Sequence, residues 1–184
     1  MVNRNIAPMR VRDATGADAA ACAAIYAPYV TDTAITFETE VPGPEAMAER
    51  IAAARERYAW LVAEDDERIV GYAYGGPYKE RAAYRWSCEV SVYVDPARQR
   101  AGAGRSLYEA LLERLAARGY RMAVAGMTLP NEASVGLHRA LGFEPVGTYR
   151  RIGYKHGGWH DVAWTQRPLA SGGASAGGPP SEPA

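Results

Sequence analysis

Glu89 stands near the middle of an apolar run, Trp86 to Val94, whose alternation reads as a strand. Trp86, Cys88, Val90, Val92 and Val94 fall on one face, while Glu89 shares the other with Ser87, Ser91 and Tyr93. Two-residue periodicity alone makes Glu89 a solvent-facing side chain. Under a sheet covered on both faces it is instead drawn out of water, which favours the protonated form and raises its pKa toward neutrality. A carboxylate with its pKa near neutrality suits a base.

A few residues later, Arg98-Gln99-Arg100-Ala101-Gly102-Ala103-Gly104-Arg105 joins this strand to the start of a helix. Glycine there lets backbone approach a ligand closely, and the unpaired N–H groups of a first helical turn, with the helix dipole, hold an anion. Arg98, Arg100 and Arg105 add positive charge. A Walker A loop needs a lysine and a different glycine spacing, and the dinucleotide fingerprint fails because Leu107 occupies its third glycine position. What remains is Q-x-x-G-x-G, either a phosphate cradle or a glycine-softened helix start.

Elsewhere the candidates are sparser. His138 lies on a short helical stretch, Asn131 to Leu141, closed by Gly142, with Asn131 at the capping position. His156 and His160 are four apart, but Gly157-Gly158 between them argues against a helical metal site, and no metal is expected. Cys22 and Cys88 lack any CxxC or zinc spacing and have apolar neighbours, so they read as buried, inert thiols. That disfavours a ping-pong route through cysteine.

The elements that must position these residues alternate in period. Met9 to Asp13 is extended. Thr15 and Asp18 make a capping box for an alanine-rich helix ending before Thr31. Pro44 opens a second helix with Met47, Ile51, Ala54 and Tyr58 on one face. Trp60 to Ala63 and Ile69 to Tyr74 are strands, followed by a loop from Gly75 to Arg85 and the Glu89 strand. Gly102 then opens a helix with Leu107, Leu111 and Leu115 at steps of four, ended by Gly119. Met122 to Thr128 is a strand, the His138 helix follows, and two last strands flank a turn placed at Gly157-Gly158. The order β-α-α-β-β-β-α-β-α-β-β predicts an α/β (α+β) domain: a mixed sheet with helices on both faces.

This domain is expected over residues 9–168, between a flexible N-terminus at 1–8 and a disordered tail at 169–184. Ser171 to Ala184 carries no large apolar residue and cannot repay the entropy of ordering. Basic and acidic residues balance at 21 each, which argues against nucleic acid as a partner. The longest apolar run, Ala19 to Ala27, is too short to span a bilayer, and Met1 to Arg10 has no apolar signal core. No membrane partner is expected, and a cytoplasmic location is.

Four segments in order carry a more specific likeness: Tyr58-Ala59-Trp60-Leu61-Val62-Ala63-Glu64, Glu89 with Ser91-Val92-Tyr93-Val94, Leu137-His138-Arg139-Ala140-Leu141-Gly142-Phe143, and Lys155-His156-Gly157-Gly158-Trp159-His160-Asp161-Val162. Together with the glycine loop, they make the span Met9 to Gln166 resemble the GNAT acetyltransferases. Within them it is similar to the phosphinothricin N-acetyltransferases and their methionine sulfoximine/sulfone-acetylating relatives. The resemblance implies the GNAT fold, with its sheet splayed into a V between the strand ending at Val94 and Met122 to Thr128. Acetyl-CoA is the implied co-substrate, its pantetheine arm in the V beside Val92, Tyr93 and Val94, and its pyrophosphate on Arg100, Ala101, Gly102, Ala103, Gly104 and Arg105.

By the same resemblance, Asn131 bonds a pantetheine amide or simply caps its helix, and Glu89 is the general base. His138 is a second base, a leaving-group acid or a hydrogen-bonding helix residue. Phe37, Lys79, Arg81, Tyr84 and Tyr108 line the acceptor pocket, although Lys79 and Arg81 in a loop are by default solvated charges. A homodimer is implied, with His156 and His160 at the hairpin and interface. The expected activity is acetyl transfer to the α-amine of phosphinothricin or a methionine sulfoximine/sulfone-like amino acid. The alternatives are another small amine as acceptor, or an acetyl-CoA-binding module without catalysis.

Overall fold

A computed structural model describes residues 9–98, 102–169 and 183. Residues 1–8, most of the expected tail, and Gln99, Arg100 and Ala101 lie outside the described residues. The elements run β1 (Arg10–Asp13), α1 (Ala19–Thr31), α2 (Pro44–Arg57), β2 (Trp60–Asp65), β3 (Arg68–Pro77), β4 (Ser87–Val94), α3 (Ala103–Ala117), β5 (Met122–Thr128), α4 (Glu132–Ala140), β6 (Glu144–Lys155) and β7 (Gly158–Pro168). This is the expected succession. The capping box forms, Thr15 N–H donating to Asp18 at 2.8 Å, but it closes a 3₁₀ turn over Gly16–Asp18 that runs on into α1.

The sheet has seven strands in the order β1-β2-β3-β4-β5-β7-β6. Only β4 and β5 pair in parallel. On one face α1 and α2 bury Tyr26, Met47 and Ile51 against Trp60, Val62 and Tyr72. On the other, Leu107, Leu111 and Leu115 of α3 pack on Leu61, Ala73 and Val90. Burying each of those three leucines contributes about 1.5–3 kcal/mol. Helices therefore cover both faces around β4, as the burial reading of Glu89 requires.

Two boundaries differ from expectation. The β6–β7 turn is His156-Gly157, because Lys155 pairs with Gly158. Both turn residues have positive φ, 50° and 75°, as a two-residue hairpin turn that follows the strand twist demands. Leu169, assigned above to the tail, donates its N–H to the Arg121 carbonyl at 2.9 Å and packs on the core.

The V begins where β4 and β5 stop pairing. Their register covers Ser87↔Met122, Cys88↔Ala123 and Glu89↔Val124, and the later residues of both strands have no partner in each other.

Candidate active site

The phase of the β3–β4 ladder decides which groups line the V. Asp95 N–H donates to Val70 O at 2.8 Å, so the alternate residues Tyr93, Ser91 and Glu89 bond toward β3. Val90, Val92 and Val94 therefore turn their N–H and C=O groups toward β5. At the ends of this row, Tyr108 Oη lies 3.4 Å from Val90 O, its proton being directed to His138, and Val94 O accepts from Tyr29 Oη at 2.6 Å. Between them, both backbone groups of Val92 and the N–H of Val94 have no strand partner among the described residues. Tyr93 is a correction to the expected contacts. Its backbone serves β3, and its ring packs edge-on against Tyr26 and Tyr29 at 4.8 and 5.2 Å between centroids.

At the open end of the V, Gly102 takes φ +85°, a conformation that costs glycine little, and starts α3 without a side-chain cap. The first bond of that helix is Ser106 N–H to Gly102 O at 3.1 Å. The N–H groups of Ala103, Gly104 and Arg105 precede it and remain the orphan donors of a first turn, where an anion is favoured. Arg98 meets Asp65 at 3.1 Å and Arg105 meets Glu109 at 3.0 Å. Such exposed pairs contribute about 0–1 kcal/mol and exchange readily for a stronger anion. Asn131 does cap α4, its Oδ1 accepting from Ser134 N–H at 3.1 Å.

Glu89 is half-buried on the α1–α2 face. Desolvation pushes its pKa up, opposed by the positive charge of Lys79. Its register partner Val124 lines a cavity of about 330 Å³ together with Tyr78, Lys79, Trp164 and Gln166. Lys79 Nζ lies 5.2 Å from the Tyr78 ring centroid, and Tyr84 meets that ring edge-on at 5.5 Å. The structure thus brings Lys79 and Tyr84 to the Glu89 side.

The remaining acceptor candidates fall elsewhere. Arg81 is exposed, at the cap of the 3₁₀ turn Ala82–Tyr84. Phe37 lies against the β6–β7 tip, where a Cβ on Gly153 would overlap its ring, and 6.3 Å from the His160 ring. Tyr108 is buried on the opposite face of the sheet, so it does not share the cavity with Lys79. Its hydroxyl lies 3.1 Å from His138 Nε2.

The tautomer of His138 follows from its other nitrogen. Nδ1 lies 2.8 Å from the Ser134 carbonyl, which can only accept, so Nδ1 carries the proton and Nε2 accepts from Tyr108. Burial lowers the His138 pKa, in keeping with this neutral form. Cys22 and Cys88 are buried, and burial pushes both thiols up to about 12.

A partly buried carboxylate beside a splayed pair of parallel strands, with an anion-holding helix start at the mouth, can deprotonate an amine next to an extended, phosphate-bearing ligand. The family model described as acetyltransferase (GNAT) domain matches residues 11–164. The chain belongs to the GNAT acetyltransferase family. The expected enzyme class, an acetyl-CoA-dependent acyltransferase, is that of the family.

Similar GNAT enzymes include the phosphinothricin N-acetyltransferase of Streptomyces viridochromogenes, 45% identical over 160 residues that cover 87% of each chain. The L-methionine sulfoximine/L-methionine sulfone acetyltransferase of Pseudomonas paraeruginosa is 40% identical, over 85% of this chain and 92% of its own. Among solved structures, a GNAT superfamily phosphinothricin acetyltransferase from Sinorhizobium meliloti, in complex with AcCoA, superposes with a TM-score of 0.87. It is 36% identical, with 92% of each chain covered.

Several residues that shape the site escape sequence reasoning. Tyr29 lies on an alanine-rich helix and Trp164 on a strand, and neither type nor spacing says that one reaches Val94 O and the other lines the cavity. Lys155 was visible within the Lys155 to Val162 motif, but not its burial or the bond of its Nζ to Thr36 O at 2.8 Å. With His156 Nε2 3.1 Å from Thr33 O, that contact ties the hairpin tip to the loop that bears Phe37.

Proposed function

We propose that this GNAT enzyme transfers acetyl from acetyl-CoA to the α-amine of phosphinothricin or a methionine sulfoximine- or sulfone-like amino acid, as a detoxification or resistance activity. The observation that carries it is Glu89, half-buried at the last β4–β5 register pair, with Lys79 and a cavity of about 330 Å³ beside it. The named activities of the Streptomyces and Pseudomonas relatives support the acceptor class.

The unpartnered groups of Val92 and Val94 fit the amides of a pantetheine arm laid along β4 as an added strand. Gly102, Ala103, Gly104 and Arg105 would hold the pyrophosphate, and Arg100 and Ala101 belong to the same loop. When bound, acetyl-CoA supplies an acyl group activated as a thioester. Glu89 takes a proton from the acceptor ammonium, directly or through water, and frees the lone pair of the amine for attack on the acyl carbon. The C–S bond then breaks, and a second proton passes from the amide-forming nitrogen to the departing CoA thiolate. An N–H of Val92 or Val94 polarises the acyl carbonyl. Neutral His138 holds the Tyr108 hydroxyl beside the point where the strands part, which makes it a positioning residue.

Lys79 binds the acidic end of the acceptor. Lys79→Met should raise the KM for phosphinothricin about 10- to 100-fold, the loss of one charge-assisted hydrogen bond, and that for methionine sulfone less. It should also move the acid limb of kcat/KM to higher pH, since Lys79 holds the Glu89 pKa down. Arg81→Met, at an exposed turn, should change neither. Steady-state kinetics on both acceptors over a pH series decides, and unaltered Lys79→Met constants would remove the cation from the pocket.

Val146, Tyr149, Ile152, Tyr154 and Trp159 are all exposed on the β6–β7 hairpin, with β6 at the sheet edge. So large an apolar face supports a homodimer formed along it. Sedimentation equilibrium should give twice the chain mass, and Tyr149→Asp should lower it toward one. No helix among the described residues is long and apolar enough to cross a membrane, and the reading is of a cytoplasmic enzyme.

A further inference from the structure

β5 continues past the last β4 register pair on the face that Glu89 shares. Alternation puts Val124 and Gly126 together on that face, Val124 opposite Glu89 and Gly126 opposite Trp164. A Cβ on Gly126 would lie 3.2, 3.3 and 3.4 Å from three atoms of the Trp164 indole. Bare backbone is thus what lets the indole lie so close to β5. From there Trp164 meets Tyr78 at 6.2 Å between centroids, nearly edge-on, and both rings line the cavity next to Lys79.

We infer that Gly126 and Trp164 together set the size of acceptor side chain that the enzyme accepts. The inference rests on the reading that this cavity receives the acceptor. The indole forms the wall against which the far end of the acceptor packs, and the missing side chain at position 126 sets how far back that wall stands. A carbon added at 126 displaces the indole from β5, and the indole borders the cavity. The effect on binding grows with the reach of the acceptor. The amine end, held near Glu89, is left in place. Lys79 supplies charge recognition and this pair supplies length recognition, so the two act on different parts of one ligand.

The test uses three sulfone amino acids that differ by one methylene each: S-methylcysteine sulfone, methionine sulfone and ethionine sulfone. Gly126→Ala needs the indole to give by only a few tenths of an ångström, so this variant keeps the fold. Its KM should rise most for ethionine sulfone and least for S-methylcysteine sulfone. The span should be about 5- to 100-fold, the range of overpacking by one methyl. The KM for acetyl-CoA should stay at the wild-type value. Adding Trp164→Phe, which shortens the ring, should restore the longer acceptors in the double variant. Equal shifts for all three acceptors, or no restoration by Trp164→Phe, would overturn the inference and leave the acceptor reading standing. Failure of the wild-type enzyme to acetylate any of the three would overturn that reading, and this inference with it.

Discussion

Glu89→Gln should lower kcat about 10²–10⁴-fold and leave the affinity for acetyl-CoA unchanged. Glutamine keeps the size and the hydrogen-bonding reach of the side chain but has no basic form at any pH used for assay. The site of the substitution matters as much as its chemistry. Glu89 points toward the α1–α2 face, while the groups of Val92 and Val94 that fit pantetheine point into the V. Calorimetry with acetyl-CoA and single-turnover kinetics separate the two effects. His138→Asn should cost less, because His138 touches the site through Tyr108. A Glu89→Gln enzyme that turns over at the wild-type rate would end the base assignment.

Thermal melts give an independent check on the same residue. The folded pKa of Glu89 is raised, so its contribution to stability is fully present below the unfolded carboxylate pKa and is lost as pH rises through the folded value. Glutamine mimics the protonated state. The variant should therefore melt above the wild type at neutral pH, with the gap closing as the pH falls through that window.

Gly104→Asp should abolish most acetyl-CoA binding while leaving the fold intact or slightly firmer. A Cβ at Gly104 meets Leu137 at 3.4 Å and Val94 at 3.7 Å, ordinary contacts that ask nothing of the backbone. Gly102 is a poorer probe, because its φ of +85° would strain any other residue. An aspartate in the first turn of α3 suits the helix dipole, contributing about 0.3–1 kcal/mol, yet it sets a negative charge where a pyrophosphate must approach. Stability and affinity should then move in opposite directions. If the loop holds the pyrophosphate, dephospho-CoA should bind the wild type nearly as well as CoA. Unchanged calorimetric affinity in folded Gly104→Asp would defeat the loop assignment.

The order of elements was legible because each boundary carries its own chemistry. Pro44 begins α2, Gly102 and Gly119 bracket α3, and Asn131 caps α4. The hairpin turn was misplaced by one residue because a glycine pair suggested it. The true turn uses His156, a non-glycine residue at positive φ. Alternation along β4 set Glu89 opposite Cys88 and Val90 but read its face as solvent, and the direction of the backbone groups, Tyr93 included, depends on ladder phase, which pairing alone sets. Tyr108 joined the acceptor candidates by resemblance alone, and it lies on the face of the sheet opposite Lys79. Trp164 over Gly126 is a contact between strands separated by a whole helix and hairpin, and nothing local announces it.

The ends of the open stretch of β4 also fix a reading frame. Backbone groups face the V only at every second residue, so a chain laid along it can shift only in steps of two residues, roughly 6.5 Å. At one end Tyr29 holds the Val94 carbonyl, and at the other β4 is still paired with β5 through Glu89↔Val124. Val92 is left as the single residue offering both a donor and an acceptor. A guest strand laid there would therefore find both bonds in one registration, at Val92. The depth at which its tip arrives is thus measured by the protein, not by the length of the guest.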